Sequence, residues 1–183
     1  MFGSKKKKNK AKRLPDDIPY KDAKKIAEDK NSDVRSELAG REDVKPEILY
    51  FMAEDKAPEV RHKVAENSTT PRHVDFILAS DTDYEVRCDL ALKIGRLIPG
   101  LSKDESERLQ DLAFEILNIL AQDQLPRVRE IIAEEIKNVT NVPKPMIERL
   151  THDAELVVAA PILEYLPLLT DSALLEIIQA GVV

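Results

Sequence analysis

Asp81-Thr82-Asp83-Tyr84-Glu85-Val86-Arg87-Cys88-Asp89-Leu90-Ala91 is the stretch whose reading decides the fold. Its skeleton is an Asp, a Val five positions on, an Arg six on and an apolar residue nine on. Five segments carry this frame, led by Asp29, Asp55, Asp81, Asp123 and Asp153. Position five is Val34, Val60, Val86, Val128 and Val158. Position six is Arg35, Arg61, Arg87 and Arg129, with Ala159 breaking the column. Position nine is Leu38, Val64, Leu90, Ile132 and Ile162. Upstream, position minus three is Ile26, Met52, Leu78, Leu120 and Leu150, and minus two is small: Ala27, Ala53, Ala79, Ala121 and Thr151. So many shared columns mark a repeat protein, and the repeat is read before any motif.

Spacing supplies the physics. Positions five and nine lie one helical turn apart and share a buried face. Positions minus seven (Ile48, Val74, Ile116, Met146) and minus three do the same on the preceding helix. The small residue at minus two admits a neighbouring helix, and Pro58 and Pro126 stand where a first-turn proline sacrifices no hydrogen bond. Each unit is therefore helix, Asp-containing turn, helix. No unit buries its apolar face alone, so the units stack. The expected fold is all-α: a right-handed α-solenoid of about ten helices without strands.

The Asp and Arg columns read as a structural ladder rather than a site, because a charge repeated in every unit serves the repeat. The carboxylate can accept amides at the next helix start, and the guanidinium can bridge to its own unit or the next. The ladder comprises Asp29, Asp55, Asp81, Asp123, Asp153, Arg35, Arg61, Arg87 and Arg129.

The chain of 183 residues divides into a Lys-rich tail over 1–14 and one repeat domain over 15–183. The tail has no periodicity and is expected to be disordered. Within it, Lys5, Lys6, Lys7, Lys8, Lys10, Lys12 and Arg13 face no acid. Without those seven, 21 basic side chains stand against 34 acidic ones, so the body is near −13 and repels nucleic acid. The tail is the candidate contact for an anionic membrane surface or nucleic acid, each Lys adding about 1 kcal/mol at such a membrane. No apolar run approaches the roughly 20 residues of a membrane span, and no apolar segment follows the basic start as in a signal peptide. The single Cys88 has no partner for an intramolecular disulfide. These features suit a cytoplasmic protein, at most peripheral to the inner face of the membrane.

Along the chain, Tyr20–Glu28 reads as the second half of an incomplete first unit. Pro46 and Pro71 mark helix starts, with Asp43 and Thr69 or Thr70 as turn or cap residues. The unit from Asp81 is longer, with helices over about 84–97 and 104–121, the latter opened by a Ser102/Glu105 capping box. Pro161 is expected to kink the last complete frame's helix or displace its start. Thr170 or Asp171 caps a final helix bearing Leu174, Leu175, Ile177 and Ile178. With no polar closing repeat, that end is a candidate for a partner, for self-association or for further residues beyond it.

The Asp-x4-Val-Arg frame resembles HEAT-like repeats over about residues 20–180. The ending is more specific. Val157-Val-Ala-Ala-Pro-Ile-Leu-Glu, followed by Leu168-Leu-Thr-Asp-x-x-Leu-Leu-Glu-Ile-Ile, is similar to the hallmark of a bacterial family labelled domain of unknown function 2336. That resemblance implies a HEAT-like solenoid in cytoplasmic bacterial proteins, with no assigned reaction and no catalytic residue to carry over.

Chemistry is sparse. His62, His73 and His152 sit at different frame positions, and no His-x3-His or Cys-x2-Cys spacing occurs, so no metal or cofactor is expected. There is no P-loop, Gly-x-Gly-x-x-Gly or Gly-x-Ser-x-Gly. Some HEAT-like proteins are DNA glycosylases or chromophore lyases, but the absent Trp, acidic body and unclustered ionisable residues argue against that chemistry here. Surface remains. Position minus five varies most: Lys24, Tyr50, Phe76, Asn118 and Glu148. Taken as the exposed column on the concave side, it makes Tyr50 and Phe76 an aromatic pair flanked by Glu47, Arg72 and His73. This is the candidate surface for a protein or peptide partner, and a non-enzymatic interaction scaffold is the expected function.

Overall fold

The computed structural model describes residues 14–100 and 107–165. Among them are ten α-helices, one 3-10 turn at Ile98–Gly100, and no strand. In chain order the helices are α1 (Tyr20–Ala27), α2 (Ser32–Ala39), α3 (Pro46–Met52), α4 (Pro58–Glu66), α5 (Arg72–Leu78), α6 (Tyr84–Leu97), α7 (Glu107–Leu120), α8 (Pro126–Ile136), α9 (Lys144–Thr151) and α10 (Leu156–Tyr165). Each Asp of the frame sits in the turn between an odd helix and the next even one, and every even helix begins three residues after its Asp.

Composition explains these starts. Pro58 and Pro126 open α4 and α8, where the missing amide hydrogen would have had no partner. Asn31 and Asp83 instead cap α2 and α6, accepting the amides of Asp33 and Glu85. The starts of α3 and α5 fall at Pro46 and directly after Pro71 as expected, and Asp43 and Thr69 are turn residues rather than caps. Neither helix has a side-chain cap: Pro46 supplies the first turn of α3, and Pro71 precedes α5 with φ and ψ already set. Asp43 is engaged with Arg41 rather than with a helix amide. At the other end α10 starts in register and runs through a buried Pro161, so the proline does not displace its start. The proposed capping box and the final helix lie outside the described residues.

Two layers stack side by side. The even helices α2, α4, α6, α8 and α10 each pack closely on the next, whereas α3 and α5 do not pack closely on each other. The cause is a column of fully buried alanines, Ala39, Ala65, Ala91 and Ala133, ten residues after each Asp, which lets the even helices approach. Gly95 extends this: a Cβ there would stand 2.6 Å from that of Glu135 on α8. The position-minus-five column rides on the odd helices, where Tyr50 and Phe76 are exposed.

Between the layers lies one continuous apolar core, with Val60, Val86, Val128, Val158, Leu38, Val64, Leu90, Ile132 and Ile162 completely or nearly completely buried. Val34 and Ile26, in the first frame, are only half-buried because α1 alone precedes them. The extra length of the third unit is absorbed by two 14-residue helices, α6 and α7, and leaves the turn at Asp123 in frame.

Candidate functional site

The Asp and Arg columns form a directional ladder. Arg35 donates from Nε and Nη2 to both carboxylate oxygens of Asp55, at 2.6 and 2.7 Å, and from Nη1 to the carbonyl of its own Asp29 at 2.7 Å. Arg61 repeats this to Asp81 and to the Asp55 carbonyl, Arg87 to Asp123 and the Asp81 carbonyl, and Arg129 to Asp153 and the Asp123 carbonyl. Each carboxylate also accepts the amide two residues on, from Ala57, Asp83, Leu125 and Glu155. Planar fork meets planar carboxylate, so each pair sets both distance and orientation between units. Burial pushes the Asp55 and Asp153 carboxyls up, but the Arg35 or Arg129 hydrogen bonds, the local amide and nearby positive charge outweigh it and hold both below the usual carboxylate range. The Asp29 carboxylate accepts the Asn31 amide, and among the described residues no guanidinium pairs with that carboxylate. Ala159 ends the ladder at the other side, fully buried.

A second stitch runs the opposite way, twelve residues after each of the first three Asp residues. Arg41 donates to the carbonyls of Pro15 and Asp16, Asn67 to those of Ala39 and Arg41, and Lys93 to that of Asn67. Three residue types share one task, which hid the column from a search for identical residues. Lys93 also meets Asp75 at 2.6 Å, and Arg72 meets the same carboxylate at 2.8 Å. Asp75 is wholly buried, and burial pushes its carboxyl up and the Lys93 ammonium down, against their mutual attraction. Among the described residues no buried side-chain nitrogen or oxygen lacks a hydrogen-bond partner.

The candidate partner surface lies on α3 and α5. Glu47, Tyr50, His73 and Phe76 are exposed. Arg72 is mostly covered and committed to Asp75 rather than free on the surface. The Tyr50 ring meets that of His73, with centroids 5.9 Å apart, so the expected Tyr50–Phe76 ring pair is replaced by Tyr50–His73. Two further residues belong to this face: Phe51, 54% exposed, and Ile77, 37%. Sequence reasoning passed over them because it chose one variable column. Their common position, minus four, holds Lys25, Phe51, Ile77, Ile119 and Arg149 and is equally variable. Beneath them Ile48, Leu49, Met52, Val74 and Leu78 fill the core.

One cluster contradicts the expectation that ionisable groups are scattered. His62 on α4 faces Asp83, Glu85 and Asp89 at the start of α6. These residues are 21 to 27 positions from His62 and come from adjacent units, so no local spacing reveals them. Cys88, half-buried on α6, has its thiol pushed up by burial, which disfavours the reactive thiolate. The basic side chains from Lys5 to Arg13 lie outside the described residues. No helix among the described residues is long and apolar enough to cross a membrane.

Stacked hairpins, a two-way set of inter-unit bonds and a core shared between units define the class: an all-α solenoid. No known family model matches the chain, and no curated protein matches it. Among solved structures it is similar to "a leucine-rich repeat variant with a novel repetitive protein structural motif", at 25% identity, covering 91% of this chain and 72% of that one, with a TM-score of 0.39.

Proposed function

We propose that this chain is a non-enzymatic interaction scaffold of the HEAT-like kind, akin to the domain of unknown function 2336 proteins whose ending its own resembles, and that it binds a protein or peptide on the exposed face of α3 and α5. The observation that carries this reading is the exposure of Tyr50 and Phe51 on α3 and of Phe76 and Ile77 on α5, two short helices linked at the surface by the Tyr50–His73 ring contact. Large apolar side chains grouped on a surface cost solvation in the free protein, and such groups mark binding faces. Aromatic anchors are frequent at the centres of interfaces, while Glu47 and His73 supply a polar rim.

The test is affinity capture from the native cell with the parent chain and a Tyr50→Ala, Phe76→Ala double variant, each checked by circular dichroism. The variant should keep the helical signal and lose at least about tenfold in partner retention, the loss expected when interface aromatics carry over 1 kcal/mol each. Equal retention would reject this face. Loss of the helical signal would show that the rings serve the core instead.

A further inference from the structure

We propose that His62, Asp83 and Glu85 form a binding site for a divalent transition-metal ion of the zinc type, spanning units two and three. Asp89 Oδ2 holds His62 Nδ1 at 2.5 Å. That leaves Nε2 turned toward Glu85 Oε2, 3.8 Å away and beyond hydrogen-bond reach. One ligand atom from each of His62, Asp83 and Glu85 lies within 4.8 Å of the others. Bonds of about 2.0–2.2 Å from zinc to nitrogen and oxygen need donors about 3.4 Å apart in a tetrahedral shell. Glu85, with 63% of its side chain exposed, can close that gap by rotation alone.

Charge supports the same reading. The four ladder carboxylates of Asp55, Asp81, Asp123 and Asp153 each hold a guanidinium. By contrast, among the described residues Asp83, Glu85 and Asp89 have no Lys or Arg ion pair, and His62 meets Glu85 and Asp89 with Asp83 nearby. One Asp83 oxygen accepts the Glu85 amide, and the other is left for an ion. A carboxylate on the far ring nitrogen is what orients metal-binding histidines, so Asp89 is the positioning residue. An imidazole among the ligands favours zinc, nickel or copper over calcium and magnesium, which prefer oxygen alone. Three protein ligands leave a fourth position for water or for a side chain of a partner. The site stands apart from the α3–α5 face and does not rest on it.

The experiment is isothermal titration of the untagged full chain with Zn²⁺, alongside thermal unfolding with and without the ion. One ion per chain should bind and raise Tm. His62→Ala and Glu85→Gln should each weaken binding by at least about tenfold, and Asp89→Asn by about 10–100-fold, the usual effect of losing such an orienting partner. His152→Ala should bind as the parent does. Because Glu85 is exposed, its variant keeps the test valid should His62→Ala fold poorly. Absence of saturable binding, or undiminished binding by Glu85→Gln, would overturn the site.

Discussion

Arg61 is bound in three directions at once, and its loss has a definite cost. Arg61→Ala would leave Asp81 buried without its cation, with Arg61 and Asp81 side chains only 12% and 6% exposed. A broken buried pair costs about 3–5 kcal/mol, and the residual exposure argues for the lower end. Asp29→Ala removes one acceptor for an amide and should cost only about 1 kcal/mol. Urea denaturation of the two variants checks the difference. Acid should weaken the ladder as well. The folded-state pKa values of Asp55 and Asp153 lie below those of the unfolded chain, about 3.9 for Asp. Their contribution is therefore complete above about pH 4 and disappears as pH falls through the lower folded values. Asp55→Asn should flatten that part of the pH–stability curve. The Asp and Arg columns were plain in the sequence; that each guanidinium reaches forward to the next unit was left open there, since spacing alone does not say which carboxylate lies nearer.

At the level of helices, small side chains govern how closely layers approach. Gly95→Ala would normally favour a helix by roughly 1 kcal/mol. Here the new methyl would meet the Cβ of Glu135, which is anchored to the α8 backbone and cannot swing aside. A net destabilisation of about 1–3 kcal/mol is expected, read as a lower Tm with helical content kept. The α5–α6 hairpin carries the opposite device, a wholly buried charge. Asp75→Ala would strand Lys93 and cost about 3–5 kcal/mol, while Asp75→Leu with Lys93→Met should come within about 1 kcal/mol of the parent. Chemical denaturation of both checks this. Helix periods in the sequence were enough to place α6, α8 and their prolines. Asp75 escaped notice because its column is otherwise apolar, holding Ala23, Leu49, Leu117 and Ile147, and a lone acid there reads as a surface residue.

Across the whole molecule, the two layers do different work. The even helices carry the ladder and close spacing that hold the units together, while α3 and α5 of the odd layer expose Tyr50, Phe51, Phe76 and Ile77. The existence of stacked hairpins follows from columns that anyone can align. Which layer is the closer one does not, because it depends on alanines ten residues after each Asp meeting across units. The His62 cluster was invisible for a related reason: its members meet only once two units are stacked.

The paired stitches also make the chain shortenable. Removing Pro46–Pro71, the 26 residues of α3 and α4 with their loops, would join Lys45 to Arg72 and put Lys45 where Pro71 preceded α5. Arg35 would then find Asp81 in place of Asp55, and Lys93 would find the Arg41 carbonyl in place of that of Asn67. Such a miniature should melt cooperatively with its remaining helices intact, whereas an excision of 20 residues would leave the plugs at the new junction facing the wrong sockets.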